Sequence, residues 1–143
     1  MQITLIGTRH KELGKCNSNE LHQILKSLRP DVIFEEMPPK DFDDYYVSKK
    51  RSKLESIAIF QYKQDQDALQ IPIDLDDICE DEFLDAYENI FKTVYGLKNQ
   101  YGLDFRELTK QVSVHTMQHG FSYLNSIDYT NAWGQVFEIK RTH

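Results

Sequence analysis

Asp31-Val32-Ile33-Phe34-Glu35-Glu36 is the stretch whose reading decides the fold. Its apolar residues occupy both alternating faces, the pattern of a strand covered on both sides in a parallel sheet. Arg29-Pro30 precedes it and Met37-Pro38-Pro39 breaks it, so the run is short and sharply bounded. Upstream, Asn17 stands three residues before Glu20, the spacing of a helix N-cap with its reciprocal glutamate. Leu21, Ile24, Leu25 and Leu28 follow at i, i+3, i+4 and i+7, one apolar stripe that ends at Pro30. At the start of the chain, Gln2 to Ile6 is apolar and β-branched and stops at Gly7, a second strand meeting a turn.

Downstream, the acidic and aromatic stretch Asp41 to Tyr46 leads into a helix from about Lys49 to Leu69. Its stripe is weaker: Leu54, Ile57 and Ala58, with Gln61 where an apolar residue would fit. Ile71-Pro72-Ile73-Asp74-Leu75 is the third strand, with Pro72 near its start, where a strand tolerates proline. A βαβαβ order with crossovers of this length implies parallel pairing. Beyond it the periodicity changes. Phe83, Tyr87, Ile90, Phe91 and Val94 mark one helix, and Phe105, Leu108, Val112, His115 and His119 mark another, with a turn between Gly96 and Gly102. In the tail, Val136-Phe137-Glu138-Ile139 can add a strand. The expectation is one α/β domain over residues 1–143, with a mainly parallel sheet flanked by helices and a helical C-terminal half.

Composition narrows the partners. The chain of 143 residues is 40% hydrophobic and 28% charged, with eight Tyr and eight Phe, enough apolar surface for a core. Its net charge is −6, and the densest basic run, Lys49-Lys50-Arg51-Ser52-Lys53, reads as a solvated helix start. Nucleic acid is not an expected partner. No apolar run approaches the ~18 residues of a membrane span, and Met1 to Ile6 reads as a strand, not as a signal peptide. Cys16 and Cys79 stand apart in no C-x-x-C motif, which suits reduced thiols and a cytoplasmic location.

In open parallel sheets, ligands bind beyond the carboxyl ends of the strands. There the sequence delivers Gly7-Thr8-Arg9-His10, then Glu35-Glu36, then Asp74 with Asp76 and Asp77. An imidazole and several carboxylates on one rim can hold a divalent metal or share a proton in general acid–base work. Strand alternation separates the glutamates, since Glu36 shares a face with Val32 and Phe34, and Glu35 shares one with Ile33. His115 and His119, at i and i+4, lie on one helix face and belong to an inward stripe with Phe105, Leu108 and Val112. Core histidines bonded to backbone or carboxylate are the competing reading of that pair. No G-x-S-x-G, Walker loop or G-x-G-x-x-G occurs.

The segment Ile3-Thr4-Leu5-Ile6-Gly7-Thr8-Arg9-His10, a helix, and Arg29-Pro30-Asp31-Val32-Ile33-Phe34-Glu35-Glu36-Met37 together resemble the N-terminal signature of the TraB/PrgY/GumN group. That group includes the TIKI proteases, with ChaN and the erythromycin esterases as more distant fold relatives. Counting from Pro30 places the family glutamate on Glu36, and the recurring aspartate after the third strand on Asp74 or Asp76. Cys16-Asn17-Ser18-x-Glu20-Leu21 and Gly120-Phe121-x-x-Leu124-Asn125-Ser126 look like bacterial members of the same kind. The resemblance implies a metal-dependent, peptidase-like hydrolase. Its catalytic residues would be His10 and Glu36, with a divalent ion of unassigned identity held by His10, Glu36, Asp74, His115 and His119. The two helix histidines enter this set on our own assignment, because the second G-x-x-H of the metalloprotease-like members is missing. A small molecule or peptide would be the ligand and a homo-oligomer an option. The alternative is a non-catalytic ligand-binding or protein-interaction module with a degenerate site. Alternation lets only one of the two glutamates face His10, and the family count makes that one Glu36, so the expectation is that Glu36 faces His10 and Glu35 turns away.

Overall fold

The computed structural model describes residues 2–75 and 81–141. Asp76, Asp77, Cys79 and His143 lie outside the described residues.

Helix α1 (Ser18–Leu28) starts where the sequence places it: Asn17 Oδ1 accepts the Glu20 N–H at 2.9 Å. Glu20 does not return the favour to its own cap, for its carboxylate reaches across to the Phe121 N–H at 3.0 Å. Leu21 and Leu25 are buried, and the helix closes on Arg29. That residue takes the left-handed conformation (φ 49°) instead of the extended one expected before proline.

Strand β1 (Val32–Glu35) is joined through helix α2 (Leu54–Asp65) to strand β2 (Leu69–Pro72), and the two strands are parallel. The register sets Val32 opposite Leu69 and Phe34 opposite Ile71. The Ile73 N–H bonds Glu35 O at 3.0 Å and the Asp74 N–H bonds Met37 O at 3.2 Å, continuing the pairing past Pro72. This is the βαβ unit expected from the sequence, with the third predicted strand two residues earlier. Gln2 to Ile6 is a correction. Among the described residues it joins no ladder, and Ile3 and Leu5 are exposed, so the fold is mixed α/β with a two-stranded sheet, not a mainly parallel one. Strand propensity alone does not supply a partner.

The sheet has one covered face. Glu35 is buried and Ile33 packs on the core, whereas Val32, Phe34 and Leu69 point outward and are exposed. The expectation of a strand covered on both sides therefore fails for the outer face. Between β1 and α2 the chain makes a 3-10 turn (Pro39–Asp41) and a single wide π-type turn (Asp43–Val47). Of the basic run, Arg51 pairs with Asp41 at 3.3 Å and Lys50 with Asp44 at 3.6 Å, while Lys53 is buried. Ser56 Oγ accepts the Lys53 N–H at 3.0 Å and starts α2. The buried stripe of α2 is Leu54, Ala58, Ile59 and Tyr62, and Ile57 is left at the surface. These residues join Leu21, Leu25, Phe121 and Leu124 in the larger core.

The second half is helical, as expected: α3 (Asp81–Gly96), α4 (Gln100–His119), α5 (Phe121–Leu124) and α6 (Ile127–Arg141). A smaller core of Val94, Phe105 and Val136 joins α3, α4 and α6. The tail is helix where a strand was an option. Tyr129, Trp133 and Val136 recur at helical spacing, and Ser126 Oγ accepts the Tyr129 N–H at 3.2 Å to start it. Among the described residues no helix is long and apolar enough to cross a membrane.

Candidate functional site

The Gly7-Thr8-Arg9-His10 loop is held from two sides. Asn125 accepts the Gly7 N–H through Oδ1 and donates from Nδ2 to Gly7 O at 3.1 Å, pairing with that peptide as a neighbouring strand would. On the other side, His10 O accepts the Leu54 N–H at 3.0 Å, which docks the loop on the first turn of α2. Glu55 sits in that turn, where the helix dipole favours a carboxylate.

Glu55 is buried, and its Oε1 gathers the loop. Thr8 Oγ1 donates to it at 2.7 Å and His10 Nδ1 lies 3.2 Å away. A carboxylate oxygen accepts, so the His10 tautomer that pairs with it carries the proton on Nδ1 and leaves Nε2 as an acceptor. The His10 side chain is 70% exposed and Glu55 7%, so a buried acid orients an imidazole that meets solvent. Glu55 Oε2 has no hydrogen bond among the described residues.

A second buried carboxylate stands nearby at the carboxyl end of β1. Glu35 Oε2 accepts from Tyr46 Oη at 2.7 Å and from Gln70 Nε2 at 2.7 Å, and Lys53 Nζ is 3.5 Å from Oε1. Lys53 Nζ also donates to Glu36 O at 3.0 Å. Burial, reinforced by the Glu35 charge, pushes the Tyr46 phenol up, so Tyr46 stays a neutral donor. Cys16 is fully buried, and burial pushes its thiol up to about 11, with Glu20 and Glu55 adding to the rise and Arg9 opposing it. The thiolate is the reactive form. In the folded protein at pH 8, Cys16 should therefore resist iodoacetamide and label only on unfolding, read at the Cys16 peptide by mass spectrometry. Fast native labelling would contradict its burial.

The sequence-predicted residues are placed unequally. His10 does not follow a strand end, since Gln2 to Ile6 joins no ladder among the described residues; its loop docks instead on the first turn of α2. Glu36 is exposed and offers its backbone oxygen to Lys53, so it does not face His10; Glu35 is the buried member of the pair, and the carboxylate beside His10 is Glu55. Alternation itself holds, since Glu36 does share a face with Val32 and Phe34, but that face is the uncovered one. Asp74 is exposed, and its Oδ1 accepts the adjacent Leu75 N–H at 2.8 Å. His115 and His119 are exposed, not inward, and line a cleft of about 440 Å³ with residues of α5 and α6. For His115 the physical reason is angular. At 3.6 residues per turn Phe105, Val112 and Thr116 fall within about 40° of one another, while His115 lies about 80° from Phe105. Thr116 takes the buried place.

Comparison with protein-family models, curated proteins and solved structures finds no match.

The site thus rests on its own geometry. Among the described residues no group of three or more His, Cys, Asp or Glu converges as a metal shell. Sequence reasoning missed Glu55, and it missed the long-range roles of Asn125 and Glu20. Each acts over a long sequence separation, and only the Gly120-to-Ser126 motif carried a hint of Asn125.

Proposed function

We propose that the protein is a hydrolase-like enzyme of the TraB/ChaN type in which His10 is the acid–base group. The observation that carries this reading is the His10 Nδ1–Glu55 Oε1 contact at 3.2 Å, made by a loop at the carboxyl end of a βαβ unit. The chemistry follows from it. Glu55 fixes the tautomer and opposes the charge that develops when Nε2 takes a proton, and Thr8 holds the carboxylate still. Nε2 can then draw a proton from a water attacking an ester, amide or similar acyl centre, and return it to the leaving group. Among the donors expected for a divalent ion, His10 has the right outer support, a carboxylate on its other ring nitrogen. Glu36, Asp74, His115 and His119 do not gather beside it, so the placed donors do not fit a complete shell and no step is drawn through an ion. A cytoplasmic location belongs to the same reading, on the unpaired buried Cys16.

The competing reading, a non-catalytic interaction module or homo-oligomer, is favoured by the outer sheet face, where exposed Val32, Phe34 and Leu69 are unusual for parallel strands.

Hydrolysis of a panel of activated esters and short peptides separates the two readings. His10→Ala should lower kcat/KM by about 10²–10⁴-fold, the range of a general acid–base group, with the fold intact by circular dichroism. Glu55→Gln should lose part of that. A rate indifferent to His10→Ala would refute the enzyme reading and leave the interaction module.

A further inference from the structure

His115 and His119 stand one turn apart on α4 with both rings exposed and their centroids 6.0 Å apart. Two imidazoles sharing one ion at a nitrogen–metal distance of about 2.0–2.1 Å have centroids roughly 5–6 Å apart, so a small side-chain rotation closes the pair. The rings open into the cleft between α4 and α6, which Tyr123, Ser126 and Asp128 also line. The His115 ring lies 5.2 Å from that of Tyr123, which restrains it on the cleft side.

We propose that this cleft is a site for a first-row divalent transition-metal ion, chelated by His115 and His119 across one helical turn. Paired imidazoles suit zinc, copper and nickel, whereas magnesium and calcium prefer an all-oxygen set. Asp128 lowers the electrostatic cost of a cation in the cleft. With two protein ligands the remaining positions belong to solvent, making the ion exchangeable and its binding weaker than in a closed structural site. The ion also braces the end of α4. There Met117 O accepts the Lys15 N–H at 2.8 Å, and Gly120 leads into the segment that carries Asn125. The site is independent of the His10 reading, and neither stands or falls with the other.

The test is isothermal titration of the dialysed full chain with Zn²⁺ and with Ni²⁺, paired with thermal melts. One ion per chain is expected, with a rise in melting temperature on saturation because the ion binds only the folded pair. Losing an outer-shell partner typically weakens metal binding by about 10–100-fold, so losing a ligand through His115→Ala or His119→Ala should weaken it at least tenfold and abolish the rise in melting temperature. His10→Ala should leave both unchanged. Both helix histidines are exposed, and His115→Gln and His119→Gln serve as second variants should either alanine change disturb α4. Absence of uptake at millimolar metal, uptake surviving loss of His119, or uptake lost with His10 would each overturn the proposal.

Discussion

Lys53→Met is expected to destabilise the protein by about 3–5 kcal/mol, the cost of removing one partner of a buried ion pair. The side chains of Lys53 and Glu35 are 9% and 3% exposed, and methionine keeps the volume of the lysine stem while deleting its charge. The loss arises at Glu35, not at position 53. Its Oε1 would face the interior without a cation, while Tyr46 and Gln70 already occupy Oε2. The Glu36 carbonyl would also lose its donor. The double variant Lys53→Met/Glu35→Gln should recover most of the loss, because no charge is then stranded and an amide oxygen still accepts from Tyr46. Urea midpoints with unchanged slopes measure both. A single-variant loss under about 1 kcal/mol would mean that the carboxylate finds water, contrary to the burial described.

Gly120→Ala should be nearly as damaging, for reasons of backbone and contact together. Gly120 closes α4 with φ 59° and ψ −139°, a region that L residues enter at a cost of about 1–3 kcal/mol. An added Cβ would also overlap the Glu20 carboxylate, which caps the Phe121 N–H. Losing that charge-assisted bond adds about 1.5–3 kcal/mol, for a total of about 2.5–6 kcal/mol. The same exchange at Gly134, inside α6 with open space around it, supplies the control. There alanine should stabilise by about 0.5–1 kcal/mol through helix propensity. Equal effects at the two positions would show that propensity alone is being measured. Paired thermal melts of the two variants read the difference.

Much of the fold was legible where the signal is local. The Asn17 cap, the α1 stripe, the two proline-bounded strands and the helical second half all rest on residues within a few positions of one another. The failures share a cause. Gln2 to Ile6 has the composition of a strand, but pairing is decided by a neighbour that no local pattern supplies. Alternation separated Glu35 from Glu36 but could not say which face is covered, since Ile33 and Phe34 are both apolar. Residue counting then chose the exposed member. The inward reading of His115 came from following the apolar series past Val112, where the helical phase had already drifted to Thr116. Glu55 was invisible because α2 has a poor stripe, and its role exists only through Thr8 and His10, 47 and 45 residues away.

The grip of Asn125 on Gly7 spans 118 residues, and the reach of Glu20 to Phe121 spans 101. Chains emerge from the ribosome at about 5–20 residues per second, so these ties wait several seconds after the first helix is available. α1, β1, α2 and β2 can meet early, since their contacts are local, and the His10 imidazole can then find Glu55. The loop that carries it is locked only when the segment after α4 arrives. Synthesis thus leaves the locking of the histidine loop for last, and a nascent chain stalled before residue 125 would carry the α/β half without the clasp that holds that loop.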